Sequence, residues 1–274
     1  MLQGNSNYTI ELKSNNKCFS IVKKAQNEKD FERLLQQVHK QKNFYHLIKN
    51  NEELNHFFEV PEVIDIHLKN SNIEMKFCNG KSILDIIEQE DIFIIDSVLE
   101  KLFIFLQWEF DNSPIHFIND QVWFDKIDNL IEKIKDKKIQ KLLGFLREKN
   151  KIEIPIGRCH GDLTFSNMLF SNKIVLLDFL DSFIETPLID LTKLIQEIYL
   201  KWSLLICNEN RDYSKINIGY NYLKKRFESK FEEFIKVNSI SLETIQTIYK
   251  ITLIRILPYC KSKKIYDEVC KEIL

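Results

Sequence analysis

Glycine and proline are scarce in this 274-residue chain, at 6 and 5, and no low-complexity linker or internal repeat runs through it. The six cysteines (Cys18, Cys78, Cys159, Cys207, Cys260 and Cys270) form no Cys-x-x-Cys pair. That spacing argues against a zinc site and against a disulfide framework, and free thiols fit a reducing compartment. No apolar stretch approaches the roughly 18 residues of a membrane span; Phe103-Ile104-Phe105-Leu106 is among the longest. The first residues, Met1 to Ser6, have neither the basic nor the apolar region of a signal peptide. A formal net charge of -1 supplies no global field to recruit nucleic acid or an anionic membrane. These absences predict a cytoplasmic protein that engages neither nucleic acid nor membrane.

What is present is enough to build a large core: 44% hydrophobic residues against 29% charged, in a length that allows one large domain or two lobes. The lysines around residues 133–138 alternate with apolar residues at helical spacing, as on a solvated helix face. Residues 8–12 and 18–23 alternate as strands across an Asn-rich turn and predict a hairpin. Residues 28–48 carry a helical stripe through Phe31, Leu34, Leu35 and Val38. A loop through Val60-Pro61 enters a strand near Val63, and Ile73–Phe77 is another strand, stopped by Asn79-Gly80. Beyond Gly80 helical spacing dominates, over residues 83–88, 94–110, 124–135, 139–149, 188–205, 218–237, 242–259 and 265 to the end. Only residues 160–178 interrupt it. The expectation is an α+β, bilobal chain: a β-rich lobe over 1–80 and a helical lobe over 81–274.

Those interrupting residues carry the chemistry. His160-Gly161-Asp162-Leu163-Thr164-Phe165-Ser166-Asn167 is followed eleven positions later by Asp178, at the end of the apolar Ile174-Val175-Leu176-Leu177. Phosphoryl transfer needs a carboxylate to orient the attacking hydroxyl and oxygen ligands to hold Mg²⁺ against the phosphates. Asp162 suits the first task, Asn167 and Asp178 the second. The four residues between Asp162 and Asn167 equal the interval in the protein-kinase catalytic loop.

His-Gly-Asp-x-x-x-x-Asn followed by an apolar strand ending in Asp-Phe resembles the aminoglycoside phosphotransferase and choline kinase superfamily. The resemblance covers nearly the whole chain and implies a protein-kinase-like fold, ATP or GTP as co-substrate, Mg²⁺, and a small-molecule hydroxyl acceptor. It gives Gly4-Asn5-Ser6-Asn7 the role of a phosphate loop, with Gly4 turning the chain and Ser6 and Asn7 meeting phosphate oxygens. It implies a phosphate-binding cation at the end of the second strand, where Lys23 shares a face with Phe19 and Ile21 while Lys24 points away. The partner of that lysine would be an acid on the following helix, Glu32 or Glu28, or an amide at Gln36 or Gln37. Met75, Phe77 and Cys78 would form the hinge that reads adenine through its backbone. His160 and Gly161 would shape the loop, and Asp190 would cap the next helix and brace the loop. Asp178-Phe179-Leu180 lacks the glycine of a protein-kinase Asp-Phe-Gly, which suits a small-molecule enzyme.

The acceptor is not legible at this level. Tyr199, Trp202, Tyr213, Tyr220 and Tyr222 are candidates for an aromatic cage. Glu197, Glu209 and Asp212 are candidates to attract an aminoglycoside, and Arg255 to meet an anionic substituent. A catalytically silent pseudokinase and an aminoglycoside-resistance enzyme are the rival readings.

Overall fold

The computed structural model describes residues 8–15, 18–89, 92–149, 152–207, 209–260 and 262–274. In chain order the elements begin with β1 (Tyr8–Asn15), β2 (Cys18–Ala25), α1 (Glu28–Asn50), α2 (Glu52–Phe57), β3 (Phe58–Glu59), β4 (Val63–His67), β5 (Asn72–Lys76) and β6 (Lys81–Ser82). There follow α3 (Ile83–Gln89), α4 (Ile92–Asp111), β7 (Ile115–Phe117), α5 (Asp120–Lys133), α6 (Lys137–Glu148) and β8 (Glu153–Pro155). Then come β9 (Met168–Phe170), β10 (Ile174–Leu176), α7 (Pro187–Leu200), α8 (Trp202–Ile206), α9 (Tyr213–Val237), α10 (Leu242–Ile254) and α11 (Lys263–Ile273).

The chain divides into two compact units. One holds the described residues up to Ile83 together with Asn167–Asp181; the other holds Leu84–Ser166 and Ser182–Leu274.

In the first unit an antiparallel sheet runs β1-β2-β5-β4, with Ile21 opposite Met75 and Lys23 opposite Ile73. Helix α1 starts at Asn27, whose side chain accepts the Asp30 N–H at 2.9 Å and satisfies one of the orphan donors of the first turn. It buries Phe31, Leu34, Val38, Gln41, Phe44 and Ile48, a 3–4 spacing that gives it one apolar face. Phe31, Leu34 and Val38 close a core with Ala25, Ile73 and Met75, each large side chain contributing about 1.5–3 kcal/mol by burial. A second sheet, β3-β10-β9-β6, draws in the 167–181 segment: β10 pairs parallel with β3 and antiparallel with β9. Gly80 permits this pairing. A Cβ there would lie 2.9 Å from Leu169 Cβ and 3.1 Å from the Phe170 carbonyl, so only glycine lets β6 approach β9.

The second unit is helical. α7 packs on α4, α9 and α10, and its Leu188, Ile189, Leu191 and Leu194 are buried. Thr186 caps α7 by accepting the Leu188 N–H, with Pro187 in the first turn where its missing donor costs nothing. Asp190 is therefore not the cap that the sequence suggested: it lies inside the first turn and is fully buried.

The helix expected over 188–205 breaks at Lys201, which adopts φ 49°. The cause is a buried acid. Glu197 accepts the Ser203 N–H at 3.0 Å and its hydroxyl at 2.7 Å, diverting a donor that a continuous helix would spend on its own backbone. The helix expected from 218 starts five residues earlier, at Tyr213, because Asp212 accepts the Ser214 and Lys215 N–H groups. The one expected to run to 259 ends at Ile254, with a short 3-10 turn over Leu257–Tyr259 that includes Pro258. The β7–β8 pair and α2 had no periodic signal, being 3, 3 and 6 residues long.

Candidate active site

In the first unit the Lys23 ammonium, at the end of β2, ion-pairs with the Asp178 carboxylate just beyond β10. Asp178 takes the left-handed conformation, φ 56°, which Asp tolerates better than most residues. Its neighbours hold it there. Leu177 N–H donates to the Asn167 carbonyl at 2.9 Å, and Phe179 is wholly buried with its ring 4.9 Å from that of Phe44 on α1. The Lys40 ammonium, also on α1, donates to the Leu180 carbonyl at 2.7 Å. The Tyr8 phenol is pushed up by burial, and the Asp178 charge adds to the shift. Lys24, one residue on from Lys23, is exposed.

Glu32 is not the partner of Lys23. It is exposed on α1, and the lysine pairs with Asp178. The contacts that α1 makes to this region come from Lys40, two turns further on, and from Phe44. Gly4, Ser6 and Asn7 lie outside the described residues.

Met75 is buried, while Phe77 and Cys78 are half-buried. Phe77 N–H donates to the Phe19 carbonyl at 3.1 Å, so this hinge donor is committed within the sheet. The Cys78 thiol, 3.6 Å from Glu59 Oε1, is pushed up to about 12 by burial and by that carboxylate, which leaves it a neutral, inert group.

Asn167 and Asp178 offer an amide and a carboxylate oxygen from the same unit. Among the described residues no three His, Cys, Asp or Glu side chains converge as a metal cluster. The pair fits Mg²⁺, a hard ion usually held by one or two protein oxygens plus substrate phosphates, and it offers none of the nitrogen or sulfur donors that zinc prefers.

In the second unit Asp190 organises the loop that bears Asp162. Its carboxylate accepts the His160 N–H on one oxygen and the Gly161 N–H, at 2.8 Å, on the other. Gly161 sits at φ 91°, where a side chain would be strained. His160 is fully buried, and its Nδ1 accepts the Asp162 N–H at 3.2 Å, so its ring shapes the loop. Beyond Asp162, Thr164 N–H returns to the Asp162 carbonyl at 2.8 Å, and Phe165 N–H reaches Glu197 Oε2 at 3.1 Å. The Asp162 carboxylate meets the Lys193 ammonium at 2.9 Å. Lys193 follows Asp190 by three positions on α7, so the same helix face that braces the loop also presents this cation. The sequence reading missed it.

Glu197 is buried and holds Tyr220 Oη at 2.7 Å in addition to Ser203 and Phe165. Burial raises its carboxyl above the usual range against the opposing pull of those donors. It has no surface from which to attract an aminoglycoside. Glu209 pairs with Arg211 and Asp212 caps α9. The proposed aromatic cage is dispersed too: Tyr199, Tyr220 and Tyr222 donate to Glu228, Glu197 and Asp96 respectively.

Residues 112–210 match the model of the phosphotransferase enzyme family. Solved structures share the fold across the chain. APH(2″)-IIa in its gentamicin complex is 13% identical, with 99% of this chain and 89% of that one covered and a TM-score of 0.58. The choline kinase LicA from Streptococcus pneumoniae is 13% identical over 99% and 91%, with a TM-score of 0.55. At these identities the likeness is one of fold. A glucosamine kinase is similar as well, at 8% identity over 97% and 80% with a TM-score of 0.51. No curated protein matches the chain. No helix among the described residues is long and apolar enough to cross a membrane.

Proposed function

We propose that this chain is a phosphotransferase of the aminoglycoside phosphotransferase and choline kinase superfamily, which moves the terminal phosphoryl group of ATP or GTP to a hydroxyl of a sugar, amino alcohol or related metabolite, with Asp162 as base. The observation that carries the reading is the Lys23–Asp178 pair. A lysine chosen as the phosphate cation and an aspartate chosen as a metal ligand, 155 residues apart in the chain, meet in one unit. Solved relatives bear on the choice of co-substrate and acceptor: one is a streptomycin–ATP ternary complex and another is ADP-bound.

In this scheme the Asp162 carboxylate orients the acceptor hydroxyl and takes its proton as the oxygen attacks the terminal phosphorus. The bond to the bridging oxygen breaks, and the nucleoside diphosphate leaves with that electron pair. Asn167 and Asp178 would hold Mg²⁺, which neutralises phosphate charge when bound. Lys23, paired with Asp178, would gain the phosphates of a bound nucleotide as a second anionic partner. Lys193 would stand beside the base. Asp190, His160 and Gly161 fix the loop, so little reorganisation is needed at the moment of transfer.

The test is nucleotide consumption across sugars, amino alcohols and aminoglycosides, with Asp162→Ala alongside. Turnover should fall by two to four orders of magnitude, roughly the worth of a general base, while nucleotide affinity is kept. Activity retained in that variant would falsify the mechanism.

A further inference from the structure

In the second unit, among the described residues, two cations gathered on one ring lack a carboxylate partner, and one of them, Arg255, feels the Asp162 charge. Lys126 Nζ on α5 lies 5.4 Å from the centroid of the Phe183 ring. Arg255 Cζ, just past α10, lies 5.1 Å from the same centroid. Both side chains are half-buried. Among the described residues no carboxylate is within ion-pair reach of either. The Lys126 ammonium is pulled down to about 8 by burial, by Arg255 and by Lys133 on its own helix. Burial likewise lowers Arg255, and its largest opposing influence is the Asp162 carboxylate. That carboxylate is already engaged by Lys193 at 2.9 Å.

Two cations thus bear on Asp162, Lys193 in an ion pair and Arg255 through its charge, and Lys126 shares the Phe183 ring with Arg255. A phenyl ring returns only about 0.5–1 kcal/mol per cation at exposed sites and about 2 when desolvated. It does not substitute for an anion. Two cations that are desolvated and mutually repelling, held against one ring, lose stability in the folded protein unless a ligand supplies the missing negative charge. The arrangement is also the opposite of what would welcome a cationic acceptor.

We propose that the acceptor is a hydroxyl compound bearing an acidic group, carboxylate or phosphate, and that Lys126 and Arg255 bind that group beside Asp162. This rests on the phosphotransferase reading and narrows it to a substrate class. Arg255 offers a planar fork of donors and Lys126 a compact point charge, a combination suited to a multidentate oxyanion. Phe183 keeps both stems apart from bulk water. Amines such as amino sugars would meet repulsion in the same place.

Matched acceptors differing in charge test this directly: glycerol, ethanolamine and glycerate, then glucose, glucosamine, glucuronate and glucose 6-phosphate, each with MgATP and the full chain. The acids should show kcat/KM at least tenfold above their amine counterparts. Comparing glucuronate with glucose 6-phosphate separates a carboxylate from a phosphate. Lys126→Gln and Arg255→Gln should each raise KM for the preferred acid tenfold or more, with a much smaller change in kcat, and the acid-over-polyol preference should collapse. A preference for the amines, or equal losses on acid and polyol in both variants, overturns the acceptor proposal and leaves the phosphotransferase standing. No turnover with any acceptor defeats both.

Discussion

The Lys193 ammonium stands 2.9 Å from the Asp162 carboxylate and is itself nearly buried. In the proposed reaction this cation would stand beside the base as the acceptor hydroxyl is attacked. Replacing it leaves Asp162 in the loop but strips its counter-charge.

Lys193→Met should therefore lower kcat by roughly tenfold or more, the scale of losing one positioned donor, with Lys193→Arg retaining more activity. Because the two residues act as a unit, Asp162→Ala combined with Lys193→Met should be no worse than Asp162→Ala alone. Steady-state kinetics of the four proteins settles it; additive losses would separate their roles.

Asp190 is a stability residue as much as a catalytic support. Asp190→Ala leaves the buried His160 and Gly161 N–H groups without an acceptor, at ~1–3 kcal/mol each. Urea unfolding should show a loss of about 3 kcal/mol with little change in the denaturant slope. A loss below ~1 kcal/mol would mean the loop finds other acceptors.

The raised carboxyl of Glu197 gives stability a pH dependence of definite sign. Above about 4.5 the unfolded chain releases this proton while the folded chain keeps it. Stability therefore falls as pH climbs through the window up to the folded value, by at most ~1.4 kcal/mol per unit. Glu197→Gln has no such proton. The wild-type stability minus the variant's, from urea midpoints between pH 4.5 and 8, should decline with pH; a flat difference would contradict it.

Lys126 adds a kinetic counterpart. With its ammonium pulled down to about 8, it is charged below that pH and neutral above. Arg255 and Lys133 are the charged groups that bear on it. KM for an acidic acceptor should rise as pH passes about 8, and Lys126→Arg should flatten that rise. A KM unchanged from pH 7 to 9 in the wild type would exclude Lys126 from acceptor binding.

The Asp162 and Asp178 segments stood out in the sequence because their pattern is local: a fixed interval between Asp162 and Asn167, and an apolar run placing Asp178 at its end. The alternation through Phe19, Ile21 and Lys23 likewise picked out the lysine that reaches Asp178. What escaped depends on contacts made across the chain. Lys193 looked like any polar residue of an amphipathic helix, and only the fold brings it to Asp162. Glu32 failed because helix phase alone placed it, and its side chain faces solvent. Glu197 looked like a surface acid, since periodicity cannot foresee a carboxylate that breaks its own helix at Lys201 to collect donors from Ser203, Tyr220 and Phe165.

That last acid limits how the protein can be re-engineered. Helices α8 and α9 supply the hydroxyl and phenol that satisfy Glu197, and Glu197 in turn steadies the Phe165 amide between Asp162 and Asn167. Grafting those helices from a relative to change the acceptor would loosen the loop unless an equivalent serine and tyrosine came with them. In this chain the packing of α8 and α9 and the course of the backbone after Asp162 share one buried side chain, and neither can be redesigned alone.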